Sequence, residues 1–308
     1  MKKNTLLIIV MLITTLLIGA CSSTTLAEEV NTAVDLVDGY GREITLDLPV
    51  ERIVSIAPSN VEILFALGAG DLIVGRDDMT DFPEEALEIE SIGSTWGELN
   101  TEAIVALEPD VVLGAELTSP EQIAQLEALD IPVFVIGNPA DFDGLYANLR
   151  LAGTITGQEA EAETVVSHLQ ERQAAVEQKV AGAETVSVFY EVDGTDPAAP
   201  WTAGVGTFHD YVISMAAGEN IAAEVDYYNT LSSEEIIAAN PEVIVFASGA
   251  WVTTTVESIA ERPGWDGIDA VVNGRVYGID TNWFDRPGPR LMDAYEAMAA
   301  YLHPELFE

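Results

Sequence analysis

The chain is predicted to be an α/β protein of two Rossmann-like lobes, each built on a parallel sheet, joined by one long interdomain helix. Three observations predict it. From residue 51 onward, short buried apolar runs alternate with helix-like segments, and such alternation calls for parallel sheets with helices on their faces. A motif recurs: NTEAIVALEPDVVLGA at 100–115 and SSEEIIAANPEVIVFA at 232–247. The ungapped pair shares Glu102/Glu234, Ile104/Ile236, Ala106/Ala238, Pro109/Pro241, Val111/Val243 and Ala115/Ala247, which points to two similar lobes. Between the copies, residues 157–181 (GQEAEAETVVSHLQERQAAVEQKVA) hold no Pro and no interior Gly. A largely polar helix of that length suits a strut between lobes.

Each element has its own local reason. Residues 33–48 alternate in polarity around Asp38-Gly39 and Gly41, so a β-hairpin precedes the first lobe. Ile53–Ile56 reads as a buried strand, followed by a helix capped by Ser59 and closed after Leu67 by Gly68 and Gly70. Leu72–Gly75 is the next strand. A helix over Asn100–Leu107, a strand over Val111–Ala115, a helix over Ser119–Leu129 and a strand over Val133–Ile136 complete the lobe. Val165, Leu169 and Val176 form the sparse apolar stripe of the strut. Beyond it come a strand at Val186–Val192, helices from Thr207 and Ser233, a strand at Val243–Phe246 and a closing helix from about Pro289 to Leu302. The expected boundaries are 51–156 for the N-terminal lobe, 157–182 for the linking helix and 183–308 for the C-terminal lobe.

The N-terminus reads as a targeting segment. Lys2 and Lys3 precede an uncharged run from Leu6 to Ala20, shorter than the ~20 residues a bilayer span needs, so residues 1–20 are expected to be a signal peptide. The run ends at Cys21, the only cysteine in the chain. That arrangement looks like a bacterial lipobox, with cleavage before Cys21 and a diacylglyceryl thioether on its sulfur. Residues 21–50 would then be a lipid-anchored tether and the hairpin, and the protein extracytoplasmic and membrane-anchored. The sequence carries 52 acidic against 12 basic residues, a formal charge of −40, which repels nucleic acid.

Residues that would carry catalysis are missing from the pattern. The one lysine beyond Lys3 is Lys179, inside the strut, which removes a P-loop. Gly68-x-Gly70 and Gly204-x-Gly206 lack the third glycine of a dinucleotide fingerprint. His168, His209 and His303 share no metal-ligand spacing, and His209 is expected at a solvent-facing helix position. No catalytic residue, metal site or resident cofactor is expected, and the protein is not read as an enzyme.

The aromatics say more. Trp96, Trp201, Trp251 and Trp283 fall in predicted loops, Tyr227-Tyr228 precede the second repeat helix, and Trp265 is read as packing. In a doubly wound fold, loops beyond the carboxyl ends of the strands are where ligands bind, and aromatics aimed into one cleft offer flat walls to a large ring system. In NWFDRPGPR (282–290), Asn282, Trp283 and Phe284 are expected to face that cleft beside Arg286. Pro289 is expected to open the last helix, with Arg290 bracing it through neighbouring carboxylates. Glu102 and Glu234 each sit in the first turn of an equivalent helix, where a carboxylate suits the dipole. Their symmetry also fits two acidic knobs for a two-fold basic partner.

The stretches ERIVSIAPSNVEILFALGAGDLIVG, IGSTWGELNTEAIVALEPDVVL, LSSEEIIAANPEVIV and RPGWDGIDAVVNGRVYGID resemble the substrate-binding components of ABC importers for vitamin B12, ferric siderophores and haem, from about Val34 to Phe307. STWGELN and NWFDRPGPR resemble the vitamin-B12-binding branch in particular. The resemblance implies a monomeric receptor that holds a corrinoid or iron-chelate ligand between its lobes, with little hinge closure. It delivers that ligand to a permease dimer served by separate ATPase subunits. It also implies aromatic contacts to the ring from Trp96, Trp201 and Tyr228. Met79 stands where an aromatic is expected, Asn282 where an acid is usual, and Ala115 where that branch can carry a Trp. Glu102 and Glu234 match the pair that docks onto arginines of the permease.

Overall fold

The computed structural model describes residues 32–249 and 252–307; the leader, Cys21, the tether up to Asn31 and Trp251 lie outside the described residues. A two-stranded antiparallel hairpin, β1 (Thr32–Val37) and β2 (Glu43–Leu48), opens the fold. It turns at Asp38, whose carboxylate accepts from the Tyr40 and Arg42 backbone N–H groups, both at 2.9 Å.

The N-terminal half carries β3 (Ile53–Ser55), α1 (Pro58–Ala66), β4 (Ile73–Arg76), α2 (Thr101–Ala106), β5 (Val111–Ala115), α3 (Pro120–Glu127), β6 (Val133–Ile136) and α4 (Phe142–Thr156). Its sheet has the order β4-β3-β5-β6, parallel throughout. The C-terminal half carries β7 (Val186–Glu191), β8 (Trp201–Ala203), α6 (Phe208–Met215), β9 (Gly218–Asn220), β10 (Tyr228–Thr230), α7 (Ser233–Ala239), β11 (Val243–Ser248), α8 (Val256–Ala260), α9 (Asp269–Val272), β12 (Val276–Asp280), α10 (Thr281–Phe284) and α11 (Leu291–Leu302). Its parallel sheet has the order β12-β11-β7-β9. With the separate β8–β10 ribbon set aside, both sheets place their second strand, first, third and fourth in the same spatial order. The repeat seen in the sequence is therefore the α2–β5 unit of one sheet and the α7–β11 unit of the other.

The strut is α5 (Glu159–Val180), 22 residues and thus ~33 Å long. It buries Ala162, Val166, Leu169, Val176 and Val180, so the stripe runs through Val166 with Val165 only partly buried at its side. The largest core is shared by both halves: Phe142 of α4 packs on Tyr211 and Tyr295, ring centroids 5.3 and 5.1 Å apart. Trp265 is fully buried and its indole N–H donates to Ser233 Oγ at 2.7 Å, as expected for a packing residue.

Two local expectations are corrected, and one helix is added to those expected. Ser59 does not cap α1: Pro58 takes the first helical position, Ala57 stands at the cap without a side-chain bond, and Ser59 is buried in the first turn. The closing helix starts at Leu291 rather than Pro289, which sits in the turn before it. The added helix is α4, whose start is marked by Asp141, which accepts from Gly144 N, and whose end is marked by Gly157 at φ 69°.

Candidate functional site

Loops at the carboxyl ends of the parallel strands meet in one cleft of about 660 Å³, within the ~300–1,000 Å³ usual for small-molecule sites. After β3, Ile56–Ser59 line it; after β4, Asp77 and Met79; after β5, Glu116–Thr118; after β6, Asn138. The other wall comes from Val192 and Asp193 after β7, from Tyr228 of β10, and from Thr281 and Asn282 after β12. Both halves thus contribute the ends of their strands, where a doubly wound fold exposes unpaired loop chemistry.

Trp96 stands at this cleft, 70% exposed. Its loop is held from behind by Gln122, whose Nε2 donates to the carbonyls of Thr95 (2.8 Å) and Gly97 (2.9 Å). The same glutamine closes the capping box of α3 with Ser119. One side chain therefore both starts a helix and presents an indole to solvent.

The opposite wall is an aromatic and carboxylate cluster around His209. Its ring is 2% exposed and stacks on Phe208 and Tyr190, with an edge contact to Phe284. Nε2 lies 2.9 Å from Asp285 Oδ1 and Nδ1 lies 3.1 Å from the Tyr228 hydroxyl. Asp285 also accepts from the Tyr190 hydroxyl at 2.8 Å. With Asp285 as acceptor, Nε2 carries the proton, and Nδ1 accepts from Tyr228. Burial, with the Asp285 charge beside it, pushes the Tyr190 phenol far up, and burial does the same to Tyr228, so both stay neutral donors. The expectation that His209 faces solvent is corrected. It lies three and four residues before Val212 and Ile213, on the helix face those residues bury. With both ring nitrogens engaged, it presents no free electron pair to a ligand's metal.

The loop after β7 is anchored by Glu191 and Arg262, a buried bidentate pair whose Nη2–Oε1 distance is 2.8 Å. Gly194 is required there, since a Cβ at that position would lie 2.0 Å from Glu191 Oε1.

Of the residues singled out in the sequence, the cleft brings together Met79, Trp96, Tyr228, Asn282 and Arg286, with Ala115 beside them. Phe284 does not face it. Residues 281–284 form a helical turn, capped by Asp280 Oδ1 accepting from Asn282 N, and neighbours on a helix point ~100° apart. Asn282 turns to the cleft, Trp283 packs partly buried against the main core, and Phe284 is fully buried against Tyr190. Trp201 is likewise outside the cleft lining. It lies half-exposed on β8 opposite Thr230, while Thr202 and Ala203, on opposite faces of the strand, are both buried. Arg290 braces the last helix as expected, through Glu62 of α1, with Nε–Oε2 2.8 Å and Nη2–Oε1 2.5 Å. Arg76 is spent on the carbonyls of Ala86 and Asp77.

Asp77, Glu116, Asp193 and Asp285 also border the cleft and escaped the sequence reading, because no carboxylate stands out among 52. Burial pushes the Asp77 carboxyl up, against the hydrogen bonds from Thr80 and the Met79 N–H. Glu102 and Glu234 are both exposed, each two positions after its helix cap (Asn100 and Ser232). Among the described residues no group of three or more His, Cys, Asp or Glu is placed to hold a metal ion, and no helix is long and apolar enough to cross a membrane.

Residues 53–282 match the periplasmic binding protein family. An uncharacterized ABC transporter substrate-binding lipoprotein of Bacillus subtilis, YvrC, is 30% identical over 89% of this chain and 87% of its own length. A cobalamin-binding protein of Halobacterium salinarum is 30% identical over 86% of this chain and 73% of its own. Among solved structures, the periplasmic haem-binding protein RhuT of Roseiflexus superposes with a TM-score of 0.74 at 28% identity, over 83% of this chain and 99% of that one.

Proposed function

Because the chain belongs to the periplasmic binding protein family, we propose that it captures a corrinoid of the cobalamin class in its cleft and delivers it to an ABC permease. The family by itself makes the protein an extracytoplasmic substrate-binding protein of an ABC importer, working with a permease and its ATPase. Trp96 is the observation that carries the corrinoid assignment. Its indole has no packing role, yet Gln122 clamps its loop at the cleft, which suits an aromatic held ready for a flat ring. The cobalamin-binding relative supports that ligand class. Met79 and Asn282 complete the contact surface, and Glu102 with Glu234 serve as docking points for the permease. Cys21 would carry the lipid anchor, which mass spectrometry of the purified N-terminus reads directly. The receptor acts as a monomer, checked by light scattering.

A haem reading is favoured by the RhuT likeness, so the test includes both rings. Calorimetric titration of the full chain in detergent with cyanocobalamin, cobinamide, haemin and a ferric siderophore is expected to show micromolar or tighter corrinoid binding. Tight haemin binding with no corrinoid binding below millimolar would sink the corrinoid reading.

Trp96→Ala is expected to weaken corrinoid binding by about 60-fold. Covering ~100 Å² of indole contributes ~2.5 kcal/mol. Its melting temperature should match the wild type, since the residue is already 70% exposed. Unchanged affinity would remove Trp96 from the site.

A further inference from the structure

Charge around the cleft is lopsided. Asp77, Glu116, Asp193 and Asp285 all border it, and among the described residues Arg286 is the one Lys or Arg that does. That guanidinium is already engaged. Nη1 donates to Asp81 Oδ1 at 2.6 Å and lies 3.3 Å from Glu62 Oε1, while Nη2 donates to the Met79 carbonyl at 3.2 Å. Glu62 in turn holds Arg290, so two carboxylates and two guanidiniums cancel and no free cation is left over.

Apart from the Arg286 charge that Asp77 feels, the bordering carboxylates have no such compensation. Asp77, Glu116 and Asp193 form no ion pair among the described residues. Their partners are neutral donors: the Met79 N–H and Thr80 hydroxyl for Asp77, the Tyr227 hydroxyl for Glu116, and the Thr195 N–H for Asp193. Asp285 takes the Tyr190 hydroxyl and the His209 ring N–H. Neutral donors fill lone pairs but leave the charge in place, and a concave site with low-dielectric walls focuses it. A carboxylate on a ligand would meet like charge here and find no free cation. A primary amide would instead donate its N–H groups to these oxygens.

We propose that the cleft selects ring ligands with an amide periphery and a net charge of zero or above, and rejects the same ring when its periphery is carboxylate. Glu116 and Asp193, at the more open positions, impose the choice. The proposal rests on the reading of the cleft as a ring-binding site, and deepens it by naming the peripheral chemistry.

The test compares matched pairs on the full chain in detergent. Tryptophan-fluorescence titration measures Kd for cobyrinic acid against its heptamide, and for haemin against its bis-amide, in 0.05 M and 1 M NaCl. In the ring that binds, the amide form is expected to bind at least tenfold more tightly. That ratio should shrink at least threefold at 1 M salt, where the screening length falls to about 3 Å. Asp193→Asn with Glu116→Gln removes both charges while keeping one acceptor oxygen each for the Thr195 N–H and the Tyr227 hydroxyl, and should narrow the low-salt ratio at least threefold. If the double variant misfolds, the salt series on the wild type decides. Equal or tighter binding of the carboxylate form, or a ratio insensitive to salt, overturns the proposal. Haemin amide preference without any corrinoid binding sinks the corrinoid reading and leaves charge selection standing. Failure of every ring to bind overturns both.

Discussion

Glu62→Ala is expected to lower the melting temperature by about 6–12 °C. Glu62 lies on α1, 3% exposed, and holds Arg290 with both carboxylate oxygens while Arg286 approaches at 3.3 Å. Burial raises its pKa, against the pull of the two arginines. The pair is therefore costly to assemble, and costlier still to break. Removing the carboxylate strands the Arg290 guanidinium, whose side chain is 16% exposed, and leaves Arg286 with Asp81 alone. Breaking a buried pair from one side costs ~3 kcal/mol or more, and each kcal/mol moves the melting point of a chain this size by roughly 2–4 °C. The brace also ties α1 of the first half to the loop before α11 of the second. Together with the shared Phe142–Tyr295 core, it opposes large hinge motion. Thermal melts followed by circular dichroism check this; a fall below 2 °C would show that the brace contributes nothing.

Reversing the charge at both proposed docking residues, Glu102→Lys with Glu234→Lys, is expected to cut uptake by on the order of 100-fold, since like-charge contact at an interface costs several kcal/mol. Neither residue lines the cleft, so the affinity for ligand should stay within twofold of wild type. The fold should also survive, because a carboxylate in the first turn contributes only ~0.5 kcal/mol through the helix dipole. Initial uptake rates of labelled cobalamin in native cells, with calorimetry on the purified variant, separate docking from binding. Uptake above half of wild type would leave the two residues as helix-end stabilisers alone.

Regular elements were legible because their signals are local. Continuous apolar runs such as Val111–Leu113 and Val133–Ile136 are buried residue by residue. The repeated motif reappears as two equivalent helix–strand units with Glu102 and Glu234 at matching positions. The cleft was legible at Trp96, Tyr228 and Asn282 for the same reason: each follows or precedes a recognisable element. Trp283 and Phe284 were misread because a single helical turn sends consecutive side chains in different directions. His209 was misread because its neighbours Tyr190, Tyr228 and Asp285 come from distant segments.

Fold class, internal duplication, strut and family resemblance follow from the chain order alone, since periodicity and repeated motifs are properties of contiguous residues. Which polar groups are spent on one another emerges in three dimensions. Arg286 and Arg290 lie at the end of the chain and Glu62 near its beginning, so no local pattern could show that the scarce cations are neutralised. Nor could it show that four carboxylates gather at the cleft. Charge balance is set by distances across space, and the chain order is silent about those.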